Sequence, residues 1–219
     1  MKTEAYYQCC RRDLLDAIPQ GRRYRILEVG AGAGETLLEA KKRGLAEFAV
    51  GVDRVRIDDS NQSHPLIDHF IIGDIEQIQL PFEQGYFDAI LCGDVLEHLV
   101  DPWGLVRRLS GHLVPGGYFI VSMPNVREIK TVFSIVCRGD FRYADSGIMD
   151  STHLRFFCRR NMISLLEQAG LVILQVKSNL DLLGKGKRFM LNKLTFGILG
   201  EFLEGEYLLV SRKPPTVSR

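Results

Sequence analysis

Seven short apolar runs, rich in β-branched and aromatic residues, recur along this chain: Tyr24–Val29, Phe48–Val52, His69–Ile72, Phe87–Cys92, Tyr118–Met123, Leu171–Val176 and Tyr207–Ser211. Runs of four to six such residues read as strands. Between several of them the apolar period lengthens to that of a helix. Glu35–Arg43 carries such a pattern and stops at Gly44, which suits the turn past a helix end. Asp101 and Pro102 supply a side-chain cap and a proline at the first helical position, ahead of Leu105, Val106 and Leu109. Met162, Leu165, Leu166 and Ala169 share one helix face, with Gly170 placed to end it. Strands alternating with helices predict a doubly wound α/β fold, its mostly parallel sheet covered on both faces.

Two stretches break the alternation, at residues about 124–158 and about 180–204. Long connections in such folds carry lids or binding loops. No repeat or linker divides the chain, so one domain over residues 1–219 is expected, opening on an N-terminal flap over residues 1–23.

Composition narrows the partners. Of 219 residues 46% are apolar and 25% charged, enough for a real core. Lys and Arg number 28 against 27 Asp and Glu, a net charge of +1 that argues against coating nucleic acid or an anionic membrane as the main task. The five cysteines (Cys9, Cys10, Cys92, Cys137, Cys158) have neither CxxC spacing nor an even count, so neither a disulfide framework nor a thiolate zinc site is expected. No apolar leader and no run of 18 apolar residues is found, and a reduced, cytoplasmic chain is the expectation.

The strongest chemical signal is the strand that runs straight into Gly30, Gly32 and Gly34. Glycines there let the backbone turn sharply and approach a ligand, with the amides of the next helix facing it. Asp53 follows 19 residues after Gly34, at the end of the second strand, where an acid can accept both hydroxyls of a ribose. Asp74 ends the third strand, where a carboxylate can accept from a purine amine. As helix caps these acids would need no ligand. Together with the glycines they point to an adenosine-type molecule. NAD fits poorly, because Glu35 stands where a dinucleotide fingerprint has its third glycine and would repel pyrophosphate, whereas a cationic ligand tolerates it.

These blocks resemble a known family. ILEVGAGAGE (26–35), GVD (51–53), GDIEQIQLPFEQGYFDAILCGDVLEHL (73–99) and LVPGGYFIVSMPN (113–125) are similar, in order and spacing, to class I S-adenosylmethionine-dependent methyltransferases. The resemblance implies a Rossmann-like sheet of seven mostly parallel strands with the last one antiparallel. It implies that Glu28 and the glycine loop hold the methionine end of S-adenosylmethionine and that Asp53 binds the ribose. It further implies that Asp74 and Ile75 cradle adenine, and that backbone at Cys92 and Gly93 meets the amino group. A second block, Gly147–Phe157, resembles a subgroup associated with sugars, glycans and small metabolites.

Asp94, Glu97 and His98 follow the fourth strand. Were Asp94 in the first turn of a helix, all three would share one face, and His98 could serve as a general base. Small-RNA 2′-O-methyltransferases and some ubiquinone-pathway O-methyltransferases carry a similar block with a later histidine, here His153, and hold a divalent ion with it. By that resemblance Asp94, Glu97, His98 and His153 are the candidate ligands, though no metal is favoured. The same block also occurs where Glu and His only brace the pocket.

Tyr143, Asp150 and Arg155 in the first excursion suit a polar ring such as a sugar, unless Phe156 and Phe157 are core and Arg155 an ion-pair partner. Tyr6 and Tyr7 are candidates for the flap. The second excursion mixes Lys185, Lys187, Arg188 and Lys193 with an apolar run over residues 184–200, a pattern open to peripheral membrane contact or to packing on the domain. The expected function is methyl transfer from S-adenosylmethionine to an oxygen of a small metabolite or sugar. A non-catalytic module that binds the same molecule or S-adenosylhomocysteine is the alternative. An RNA ribose methyltransferase fits the charge balance less well.

Overall fold

One sheet holds all seven strands of the computed structural model, which describes residues 9–178 and 186–215. They are β1 (Tyr24–Val29), β2 (Ala46–Asp53), β3 (His69–Ile72), β4 (Phe87–Gly93), β5 (Leu113–Pro124), β6 (Val172–Ser178) and β7 (Glu206–Arg212), in the spatial order β3-β2-β1-β4-β5-β7-β6. β3, β2, β1, β4 and β5 pair in parallel, while β7 runs antiparallel to both its neighbours, β5 and β6. Each expected strand is present, and three start earlier than the apolar runs do, β7 by the single residue Glu206. β2 begins at Ala46, opposite Tyr24, and β5 begins at Leu113, which pairs with Phe87 ahead of a register shift.

The period-2 alternation of strand side chains explains why both faces need cover. Leu27, Ile90, Cys92, Phe119 and Val121 point one way, against Leu105 and Leu109 of α3 (Pro102–His112) and Met162 and Leu166 of α5 (Arg159–Glu167). Ile26, Ala89, Leu91 and Ile120 point the other way, against Leu14 of α1 (Arg12–Asp16) and Leu37 and Ala40 of α2 (Glu35–Lys42). The α3 start is as predicted: Asp101 Oδ1 accepts from Gly104 N at 2.9 Å, with Pro102 at the first helical position. Leu109 is fully buried, so Leu109→Ala should cost about 2–5 kcal/mol.

Among the described residues, three further helices lie in the excursions: α4 (Ile129–Arg138), α6 (Lys187–Leu194) and α7 (Gly200–Leu203). The carboxyl ends of β1, β2, β3, β4 and β5 share one edge of the sheet, and β7 starts there too, Glu206 opposite Pro124. That edge is where α/β sheets bind ligands. Among the described residues no helix is long and apolar enough to cross a membrane.

Candidate active site

At the end of β1 the chain turns through Gly30, Gly32 and Gly34, all with positive φ (73°, 52° and 85°). A Cβ at Gly30 would also lie 2.4 Å from Val95 Cγ2, so the position requires glycine on two counts. The turn is tied to the next strand. Gly30 N and Ala31 N donate to Val52 O at 2.8 and 3.1 Å, and Gly32 N donates to Asp53 Oδ2 at 2.8 Å. Gln62 Nε2 donates to Gly32 O and Val55 O at 2.8 and 2.9 Å, holding the turn from the far side. Gln62 sits in a short 3-10 turn, Asn61–Ser63, and an amide in a loop carries no sequence signal that would have singled it out.

Beneath the turn, Glu28 is 3% exposed and its Oε2 has no hydrogen-bond partner. Burial pushes its carboxyl up to about 8, against the opposing pull of the Thr36 hydroxyl and the Arg11 charge. A buried acid with an unmet acceptor under a glycine turn is a seat for a cation. At the end of β3, Asp74 Oδ1 accepts from Glu76 N at 3.0 Å and Ile75 is buried beside it. Glu76 in turn accepts from Val100 N and Asp101 N at 3.0 and 2.7 Å, which joins this loop to the start of α3. Cys92 is fully buried at the end of β4, and burial raises its thiol pKa.

The helix expected from Asp94 to His98 does not form. Asp94 has φ 51° and only Leu96–His98 makes a single 3-10 turn. Tertiary bonds override the local pattern: Asp94 N donates to Ser122 Oγ at 3.1 Å, and Asp94 Oδ2 accepts from Arg11 Nη1 at 2.5 Å. Asp94 is thereby drawn away from the face it was expected to share with Glu97 and His98. Arg11, which sequence reading passed over, is the hub of this corner. It also meets Asp13, Ser122 Oγ at 2.9 Å and Glu206 at 3.1 Å, and a Cβ on Gly93 would lie 2.9 Å from its Nη1. Burial works against its charge, but the Asp13 hydrogen bond and the carboxylates of Asp94, Asp13 and Glu206 more than offset this and raise its pKa. Burial, then the charge of Asp94, pushes Glu206 up to about 7.

His98 and His153 come together as anticipated, their rings 4.7 Å apart and crossed at 71°. The first excursion is pinned here because Leu154 N and Arg155 N both donate to Glu97 O, at 2.8 and 2.9 Å. Thr152 Oγ1 donates to Asp150 Oδ1 at 2.6 Å, which uses its one proton, and Thr152 N donates to the same oxygen. Thr152 O and Oγ1 therefore both face His98 Nδ1 as acceptors, each at 3.1 Å. That places the His98 proton on Nδ1 and makes Nε2 the basic atom. His153 Nδ1 likewise donates to Ile148 O at 3.0 Å, and its Nε2 faces Glu97 Oε1 at 4.0 Å.

Two of the sequence candidates, Asp150 and Arg155, are tied into the loop itself. Asp150 is buried and orients Thr152, and Arg155 donates to Val100 O and Leu154 O, bracing backbone. Tyr143 is exposed and packs with Phe141 and Phe156 as an aromatic group at the rim, whereas Phe157 is core. Tyr6, Tyr7 and Lys185 lie outside the described residues.

A sheet of this order, with a glycine turn after its first strand and acids closing the next two, defines the class of S-adenosylmethionine-dependent methyltransferases. A family model described as a methyltransferase domain matches residues 1–176, and the chain belongs to that family. It is 32% identical over 110 residues to the biotin biosynthesis bifunctional protein BioHC of Cellvibrio japonicus, covering 50% of this chain and 22% of that one. It is 25% identical over 174 residues to the ubiquinone biosynthesis O-methyltransferase of Neisseria meningitidis serogroup C, covering 76% and 71%. In fold it is similar to an S-adenosylmethionine-dependent methyltransferase of Mesorhizobium loti, with a TM-score of 0.65 at 18% identity over 92% of this chain and 96% of that one.

The residues present fit S-adenosylmethionine. The unmet Oε2 of buried Glu28 suits a cationic amino acid, and Gly30 lets the turn close directly over Val95. Among the described residues, Glu97, His98 and His153 place one donor atom each within 4.8 Å of one another, a set of two imidazoles and a carboxylate that fits a divalent transition ion. Asp94 is not part of that set.

Proposed function

We propose that the chain methylates a hydroxyl of a small metabolite or sugar. The observation that carries this reading is the Asp150–Thr152–His98 chain, which holds one imidazole in a single tautomer with its basic Nε2 turned from the backbone that anchors the ring. S-adenosylmethionine supplies the electrophilic methyl on its sulfonium. The protein's part is then alignment and proton removal. The glycine turn and Asp53 position the adenosine, Glu28 ionises to meet the cationic amino acid, and His98 Nε2 takes the acceptor's hydroxyl proton. The aromatic rim of Phe141, Tyr143 and Phe156 offers a surface on which a sugar or ring can stack. That one relative is an O-methyltransferase agrees with this choice of acceptor atom.

The test is release of S-adenosylhomocysteine across a panel of hydroxylated acceptors, with His98→Ala as the control. Turnover that His98→Ala lowers by about 100-fold or more supports the reading. Binding of S-adenosylmethionine without turnover on any acceptor favours a regulatory module instead. The Glu97–His98–His153 set could also hold an ion, which would make an acceptor hydroxyl more acidic. Loss of activity in EDTA, restored by one divalent cation, would support that second reading, and full activity after chelation would remove it.

A further inference from the structure

Helices α4 and α6 differ from those that cover the sheet: neither buries any residue. On α4, Ile129, Phe133 and Val136 stand at i, i+4 and i+7 and are all exposed, Val136 at 74%. In α6 and the turn after it, Met190, Leu194, Phe196 and Ile198 are exposed, Phe196 at 93% and Ile198 at 79%. Apolar exposure so concentrated marks a surface that meets something other than water. The two helices start side by side, since Glu128, which accepts from Lys130 N and Thr131 N to cap α4, also pairs with Arg188 in the first turn of α6. Both lie on the edge of the sheet that bears the glycine turn, as α4 follows β5 and α6 precedes β7, whose ends meet at Pro124 and Glu206.

The charge around this surface selects its partner. Residues 186–200 hold three cations, Lys187, Arg188 and Lys193, and no acid, in a chain of net charge +1. Lys187 and Lys193 are exposed on α6 among the apolar residues. We propose that this face docks on an anionic lipid surface, the apolar side chains entering the boundary of headgroups and acyl chains while the lysines meet lipid phosphates. A second copy of the chain is a poorer occupant, because like patches would set lysine against lysine.

The full chain should be spun with sucrose-loaded vesicles of phosphatidylcholine alone or mixed with phosphatidylglycerol. Partition onto the anionic vesicles is expected to exceed that onto neutral ones by about tenfold or more and to weaken with salt. Leu194→Ser with Phe196→Ser should lower it about tenfold, and so should Lys187→Glu with Lys193→Glu. Leu174→Ser, which removes an exposed apolar residue of β6, should leave it unchanged. Circular dichroism and S-adenosylmethionine binding verify that each variant is folded. A wild-type chain left in the supernatant with both vesicles overturns the proposal, as does pelleting unaffected by the serine variant. So does a dimer, seen by sedimentation velocity, that the serine variant disperses with no vesicle binding. None of these readouts needs methyl transfer, so they fail or succeed separately from the proposed reaction.

Discussion

The two halves of the ligand edge are built in opposite ways. On the β1–β2–β3 side the backbone does most of the work: three glycines in left-handed geometry, amides tied to Val52 O and Asp53, and one side-chain acid per strand end. On the side of β4 and β5 the site is assembled from side chains far apart in sequence, with Arg11 reaching Asp94 across 83 residues and Thr152 reaching His98 across 54. The first half can therefore hold a fixed molecule with little adjustment. The second depends on the excursion staying closed over Glu97, which is where an acceptor would be selected.

This contrast predicts that damage on the two sides has different signatures. The largest effect is expected from His98→Ala, which should lower turnover by about 10²- to 10⁴-fold, measured as S-adenosylhomocysteine release. Next is Glu28→Gln. Unfolded, Glu28 ionises near its ordinary 4.5, whereas folded it does so at about 8, so between these values the folded chain holds a proton that the unfolded chain has lost. Stability conferred on the wild type thus falls as pH rises across that window, and Glu28→Gln escapes the loss, by on the order of 5 kcal/mol at pH 8.5 in thermal or urea unfolding. The same residue predicts that binding a cationic amino acid below pH 8 expels a proton, detectable by calorimetry in buffers of different ionisation enthalpy.

Gly30→Ala should cost about 1–3 kcal/mol from its positive φ alone, with the clash against Val95 added, and should weaken S-adenosylmethionine binding in the same titrations. The smallest effect belongs to Thr152→Val, which breaks the link from Asp150 to His98 but leaves the imidazole. It should lower turnover about tenfold, while S-adenosylmethionine affinity stays put.

Legibility in the sequence follows the same division. The seven strands, the glycine turn, Asp53 and Asp74 rest on short-range patterns, a strand period and a turn that only glycine tolerates, so they can be read off the chain. The role of Arg11 cannot, because its partners Asp13, Asp94, Ser122 and Glu206 come from four places in the fold. The misread stretch is Asp94–His98, where helical spacing is real but hydrogen bonds to Ser122 and Arg11 hold Asp94 in a left-handed conformation that excludes it from a helical turn. Asp150 and Arg155 were recognisable as polar loop residues, yet only the fold shows that one orients Thr152 and the other braces Val100.

The most direct test is calorimetric titration of S-adenosylmethionine into three proteins: wild type, Asp53→Ala and His98→Ala. A separable edge predicts that Asp53→Ala, which loses its bond to Gly32 N and the ribose contact proposed for it, weakens binding by about 30-fold or more, or about 2 kcal/mol. His98→Ala should bind within about twofold of wild type. No binding by the wild type, or an equal loss in both variants, would contradict the account.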